Sequence, residues 1–152
     1  MTVLKEFEYE DHTADIKVIG YGNTPKRSIE ALMLGILNII YDIDKVDKKE
    51  TKEIHIKGKD ILEVINKLAT KILDVFYIEK FAIGDIRVKH LRKIKRRPKK
   101  DFYWDVIAIL YGEPYDINKH NFKKEVKAAT YHEIDIKKIK KSYWISQIIV
   151  DV

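Results

Sequence analysis

The stretch Ile16–Ile40, IKVIGYGNTPKRSIEALMLGILNII, holds the change of period on which the fold turns. Its opening, Ile16 to Tyr21, follows a strand pattern. Gly22-Asn23 is a turn signal. Thr24 and Pro25 then stand as N-cap and first helical residue: the hydroxyl can accept from an orphan amide, and proline has no amide to waste there. From Pro25 to Ile40 the apolar residues Ile29, Leu32, Met33, Ile36, Leu37 and Ile40 recur at helical spacing. The spacing predicts an amphipathic helix packed on something flat.

Working outward, Val3 to Tyr9 alternates like a strand, and Asp11-His12-Thr13-Ala14-Asp15 interrupts it before Ile16. Downstream, Thr51–Lys57 reads as a short strand with Ile54 and Ile56 on one face. Asp60 and Glu63 have the spacing of a capping box. The helix they open, about Asp60 to Ile78, carries a broad stripe that includes Ile61, Ile65, Leu68, Ile72 and Phe76. The remainder reads as strands: Ile83–Lys95, Asp101–Tyr111, Val126–Ile136 and Tyr143–Val152. Helices early and long strands late predict one α+β domain over residues 1–152, a largely antiparallel sheet with two amphipathic helices packed on it. No internal repeat or low-complexity linker divides the chain.

Composition narrows the function classes. The 152 residues are 45% hydrophobic and 36% charged, which suits a folded domain and argues against disorder. No apolar run approaches the roughly 20 residues that span a bilayer, so no membrane partner is expected. Met1 to Glu10 lacks the apolar core of a signal peptide, and a cytoplasmic location is the expectation. With no cysteine, thiolate metal sites and thiol nucleophiles are excluded. The net charge of +6 says little by itself, because heavy use of lysine is also a thermophile habit.

Position of charge says more. Residues 89–100, KHLRKIKRRPKK, form the densest cluster. Lys89, Arg92, Lys93, Lys95, Arg96 and Arg97 could hold RNA phosphates by counterion release. They could equally be the solvated tip of a hairpin whose charges discourage strand pairing, or a dock for an acidic partner. No aromatic pattern of the RNP type accompanies them, which speaks against specific base reading. Asp11 and Asp15 could supply oxygens to a hard cation, although on this pentapeptide alone the favoured reading is that Asp11 and Thr13 cap a turn. The five histidines, His12, His55, His90, His120 and His132, include no pair at zinc-motif spacing. In Val126–His132, alternation puts Lys127 on a face with Ala129 and Tyr131, where a half-buried lysine would need an acidic partner. The end of the last strand offers carboxylate at Asp151 and at Val152, either a cation site in company with Asp15 or a frayed end in solvent.

Taken together, these segments resemble the archease family. The resemblance rests on Phe7 with Asp11-His12-Thr13-Ala14-Asp15, the Gly22–Thr24 turn, Gly112-Glu113-Pro114 with Asp116 and His120, Glu125-Val126-Lys127-Ala128 with Thr130-Tyr131-His132, and Val150-Asp151-Val152. It implies a compact α+β fold and a role as an accessory protein, not an enzyme. Archeases act on RtcB-type RNA ligases in tRNA splicing and RNA repair, promoting ligase guanylylation and multiple turnover and broadening nucleotide use. It further implies a bound divalent cation, calcium, held by Asp15, Asp151 and an oxygen of Val152, with Lys127 acting in ligase activation. A cation there would screen the mutual repulsion of the two aspartates. The other roles in view are a chaperone of an RNA-modifying enzyme such as a tRNA methyltransferase, and an RNA-binding module built on segment 89–100. A metal-dependent hydrolase is disfavoured, since no nucleophile is paired with a base and no Gly-rich loop could cradle phosphate.

Overall fold

The computed structural model describes residues 5–11 and 14–152. The Val3 start of the first expected strand, and His12 and Thr13, lie outside the described residues. In chain order the elements are β1 (Lys5–Asp11), β2 (Asp15–Gly22), α1 (Pro25–Ile40), a 3-10 turn at Ile43–Lys45, β3 (Glu50–Gly58), α2 (Ile61–Tyr77), β4 (Phe81–Arg96), β5 (Asp101–Pro114), α3 (Ile117–His120), β6 (Ala128–Ala129), β7 (Asp135–Lys140) and β8 (Tyr143–Asp151). No helix among the described residues is long and apolar enough to cross a membrane.

The α+β class and the antiparallel pairing hold, but the strands divide between two sheets. The first has the order β1-β2-β8-β6, with β7 also on β8; the second is β3-β5-β4. Both helices start where local chemistry requires. Thr24 Oγ1 accepts from the Arg27 amide at 3.2 Å, and Asp60 Oδ1 accepts from the Glu63 amide at 2.8 Å. Each bond satisfies one of the donors that a helix start leaves without partner.

Helix α1 is buried on nearly every side, including Ser28 and Glu30. That is the burial of a helix held between layers rather than laid on a surface. Glycines let it approach β2: a Cβ on Gly20 would collide with the Ser28 carbonyl and the Leu32 amide of α1. Glu30 then ties the helix to the second sheet. It accepts from the Val88 amide of β4 at 2.7 Å and pairs with Arg27, and with Lys5 at 3.4 Å. Tyr41, fully buried at the end of α1, donates to the Ile83 carbonyl at 2.8 Å and accepts from the Ile83 amide at 2.7 Å. One continuous core results, running from Val18 and Val150 of the first sheet to Val106 and Leu110 of the second.

One expected strand is broken. In place of a continuous Val126–Ile136, two separate pieces pair with β8: Ala128–Ala129, and, after the chain turns through Glu133 at φ 52°, β7 from Asp135. The cause is tertiary. Val126 gives its amide to the Tyr77 hydroxyl at 2.9 Å, and Thr130 gives its carbonyl to Asn66 at 3.0 Å. Both partners are side chains of α2, and neither is visible in a local alternation.

Candidate functional site

The register of β2 on β8 places Asp15 directly opposite Asp151. The carbonyl of Asp151 points away from β2, accepting the Lys127 amide at 2.8 Å, while the next residue, Val152, donates to the Ala14 carbonyl at 3.4 Å. Asp15 and Asp151 are therefore a non-hydrogen-bonded pair, the kind whose Cα atoms lie only about 4.5 Å apart and whose side chains stand closest. Asp151 is exposed, Asp15 half-buried with its Oδ1 oxygen withdrawn from solvent, and Val152 half-buried beside them. Ala128 pairs with Asp151 from the other edge. Four of the residues singled out in the sequence, Asp15, Lys127, Asp151 and Val152, thus meet at one corner.

Like charges directly opposite on a sheet repel and weaken the pairing. Two carboxylates beside a further oxygen at Val152 form an all-oxygen donor set, which suits a hard cation such as calcium. Among the described residues no group of three or more His, Asp or Glu side chains gathers into a metal cage. A cation here would accordingly need oxygen donors beyond the two aspartate side chains.

Lys127 departs from expectation. It precedes β6 and is exposed, so it needs no buried acidic partner. Its position comes from a chain of anchors. Buried His120 stacks on the Tyr115 ring at a centroid distance of 5.6 Å, and its carbonyl accepts the Asp42 amide at 3.0 Å. Lys123 donates its amide to the Ile40 carbonyl at 2.7 Å, the buried Val126 bonds Tyr77, and the Lys127 amide reaches Asp151. The loop is thereby tied to the end of α1, then to α2, then to β8.

The Gly112–His120 motif supplies the first of these anchors. Glu113, buried, receives Lys119 at 2.7 Å, His120 Nε2 at 2.9 Å and the Asp47 amide at 2.9 Å. Its hydrogen bond from Lys119, with those from His120 and Asp47, outweighs desolvation and lowers its carboxyl to a pKa of about 2. His120 Nδ1 accepts the Asp116 amide at 3.0 Å, so Nε2 carries the proton given to Glu113. Both ring nitrogens are used internally.

The remaining candidates lie elsewhere. Asp11 ends β1, exposed and opposite Ile16. Lys89, Arg92, Lys93, Lys95, Arg96 and Arg97 occupy the exposed β4–β5 hairpin of the second sheet. His55 and Arg92 both bond the buried Asp105, whose carboxyl stays below its ordinary range: burial opposes ionisation, but these two partners outweigh it. No local pattern marks Asp105 in the sequence, because its two partners come from different strands, β3 and β4.

A model of the Archease protein family matches residues 7–152. The chain belongs to the archease family. It is 33% identical over 149 residues to a protein archease of Pyrococcus abyssi, covering 98% of this chain and 100% of that one. It is 36% identical over 148 residues to a protein archease of Pyrobaculum islandicum, covering 97% and 95%. The solution structure of Methanobacterium thermoautotrophicum protein 1598 superposes with a TM-score of 0.75 over 96% of this chain and 98% of that one, at 20% identity. That likeness supports the archease fold for both sheets and both long helices. The match through residue 152 takes in the whole Asp15–Asp151 corner.

Proposed function

We propose that this archease activates an RtcB-type RNA ligase in tRNA splicing and RNA repair, promoting guanylylation and multiple turnover without catalysing a reaction itself. The observation that carries the reading is the cross-strand pair Asp15–Asp151 with Val152 alongside and the Lys127 backbone bonded to Asp151. Asp15, Asp151 and an oxygen of Val152 would hold a divalent cation, calcium among the candidates. Such an ion supplies positive charge toward phosphate oxygens and offsets the repulsion between the aspartates. Lys127 presents its ammonium to solvent beside this corner. There it serves to pair with a phosphate of the ligase-bound nucleotide. The rigid tie of residues 120–127 to both long helices presets that placement, so less ordering is needed on docking. Broader nucleotide use fits the same geometry, since contacts to phosphate leave the base unread.

The test is multiple-turnover RNA ligation at limiting ligase, with and without this protein. Addition should raise turnover and the guanylylated fraction, and Asp151→Ala should remove the effect while keeping the melting transition. Unchanged turnover on adding the wild-type chain would refute the reading.

A further inference from the structure

The second sheet has one face packed on the core and one turned outward, and the outward face is chemically organised. Along the central strand β5, Val106, Ala108 and Leu110 are buried on the inner side. Alternation then places Tyr103, Asp105, Ile107, Ile109 and Tyr111 outward, all but Asp105 half-exposed. The register sets His55 and Lys57 of β3 on one flank, opposite Ile107 and Asp105. On the other flank it sets Arg87, His90, Arg92 and Arg96 of β4, opposite Ile109, Ile107, Asp105 and Asp101. From Tyr103 to Tyr111 this row runs about 26 Å.

At the Tyr103 end there is a cavity of about 480 Å³ lined by Lys57, Lys59, Lys67, Arg96 and Tyr103, with Glu63. Lys57 Nζ and Arg96 Cζ lie 5.6 and 5.8 Å from the Tyr103 ring centroid, one from each neighbouring strand. At the Tyr111 end a second cavity, of about 310 Å³, is lined by Tyr111, Arg87 and Lys48, and also by Glu30 and Asp85, which Arg27 and Lys5 neutralise. The face carries acids too: Asp105 is engaged by His55 and Arg92, Asp85 by Lys5, Glu63 by Lys67 and Asp101 by Arg96 at 3.7 Å, while Glu53 stands exposed opposite Ile109. Lys57, Arg87 and Lys48 outnumber that one acid, so the surplus charge is positive.

We propose that this face binds a single-stranded polynucleotide, with a base stacked at Tyr103 and phosphates running past Lys57, Arg96 and Arg87. A sheet that presents aromatic rings between rows of cations is the physical arrangement by which unstacked bases are held without sequence reading. A duplex hides the faces of its bases and could use the cations alone. A run of acidic side chains offers Tyr103 no aromatic ring to stack on. The face lies on the sheet that does not contain the Asp15–Asp151 corner, so the proposal stands apart from ligase activation.

The experiment is fluorescence anisotropy with a labelled 12-nucleotide oligouridylate and the full chain, without ligase. Neutralising three phosphates on a single strand gives a salt slope of about −2, hence roughly 20-fold weaker binding between 50 and 200 mM salt. Tyr103→Ala should weaken binding about tenfold. Lys57→Ala, at an exposed side chain that leaves the core intact, should flatten the salt slope by about 0.7. Competition by unlabelled oligouridylate, with a 12-base-pair RNA duplex and polyglutamate much poorer at equal charge, supports the proposal. Equal displacement by the duplex would reduce the face to a phosphate track. Equal displacement by polyglutamate would assign it to an acidic protein. Either result, or an unchanged affinity in both variants, overturns it.

Discussion

Replacing Asp151 by asparagine should stabilise the protein in chelator and make it nearly blind to calcium, two effects of opposite sign from one atom change. Asp151 faces Asp15 across a non-hydrogen-bonded pair. Carboxylates about 5 Å apart in water repel by about 0.8 kcal/mol, within the range found for like charges directly opposite on a sheet. Because Asp151 is exposed, the aqueous value is the relevant end. For a domain of this size 1 kcal/mol moves the melting temperature by roughly 2–4 °C. Asp151→Asn in EDTA should therefore melt about 2–3 °C higher than wild type. Calcium at one hundred times its Kd should stabilise the wild type by about 2.7 kcal/mol, or roughly 5–10 °C. The variant, with one anionic ligand gone, should show only a small part of that rise. Paired thermal unfolding scans by circular dichroism at pH 7, in EDTA and in calcium, read both effects. A melting temperature lowered by the substitution in EDTA would mean that the side chain supports the fold instead of straining it. An undiminished calcium response in the variant would remove Asp151 from the ion site.

Further outcomes follow from the same geometry. Lys127→Ala should abolish stimulation of ligase turnover with a melting temperature within about 2 °C of wild type, because an exposed side chain contributes within about 0.5 kcal/mol. Gly20→Ala should cost at least about 1–3 kcal/mol in guanidinium unfolding, since its Cβ meets backbone of α1 and not the end of a flexible side chain. Tyr41→Phe should cost about 1–3 kcal/mol by leaving the buried amide and carbonyl of Ile83 without their shared partner. Glu113 has a folded pKa of about 2 against the ordinary glutamate value of 4.5. Its contribution is thus fully present above about pH 4.5 and is lost as pH falls through about 2. Glu113→Gln should destabilise at pH 7 and flatten the stability profile between pH 4.5 and 2, read by urea unfolding at each pH.

The two long helices were legible almost to the residue because their boundaries are local, whereas the single turn of α3, Ile117–His120, was not read. Thr24 with Pro25, and Asp60 with Glu63, close their caps within four positions of chain, so nothing distant decides them. The second helix even completes its capping box, Glu63 reaching back to the Lys59 amide at 3.2 Å. Strands β2, β4, β5 and β8 were visible for a similar reason, each having a period long enough to read. What alternation could not reveal was the partner of each strand. The division into β1-β2-β8 and β3-β5-β4 depends on α1 lying between them, and α1 announces only that it is apolar. Val126–Ile136 failed in the same way. Its pattern is that of a strand, but Tyr77 and Asn66 claim its backbone groups from α2.

The site was legible in a less direct way, and the reason lies in which polar residues a fold consumes. Glu113 and His120 bring a carboxylate and an imidazole into one short motif. The structure spends both: Glu113 on Lys119, His120 and Asp47, and His120 on Glu113 and the Asp116 amide. No lone pair of that imidazole remains for a metal, so the motif acts as the anchor of the loop that carries Lys127. Asp15, Lys127 and Asp151 are by contrast ordinary surface types, at the end of a strand or beside one. What brings the two aspartates together is a register, β2 on β8, that sets two carboxylates directly opposite each other, a pairing that costs a sheet stability. That cross-strand placement is what sets Asp15 and Asp151 apart from the exposed acids that stand singly on this protein.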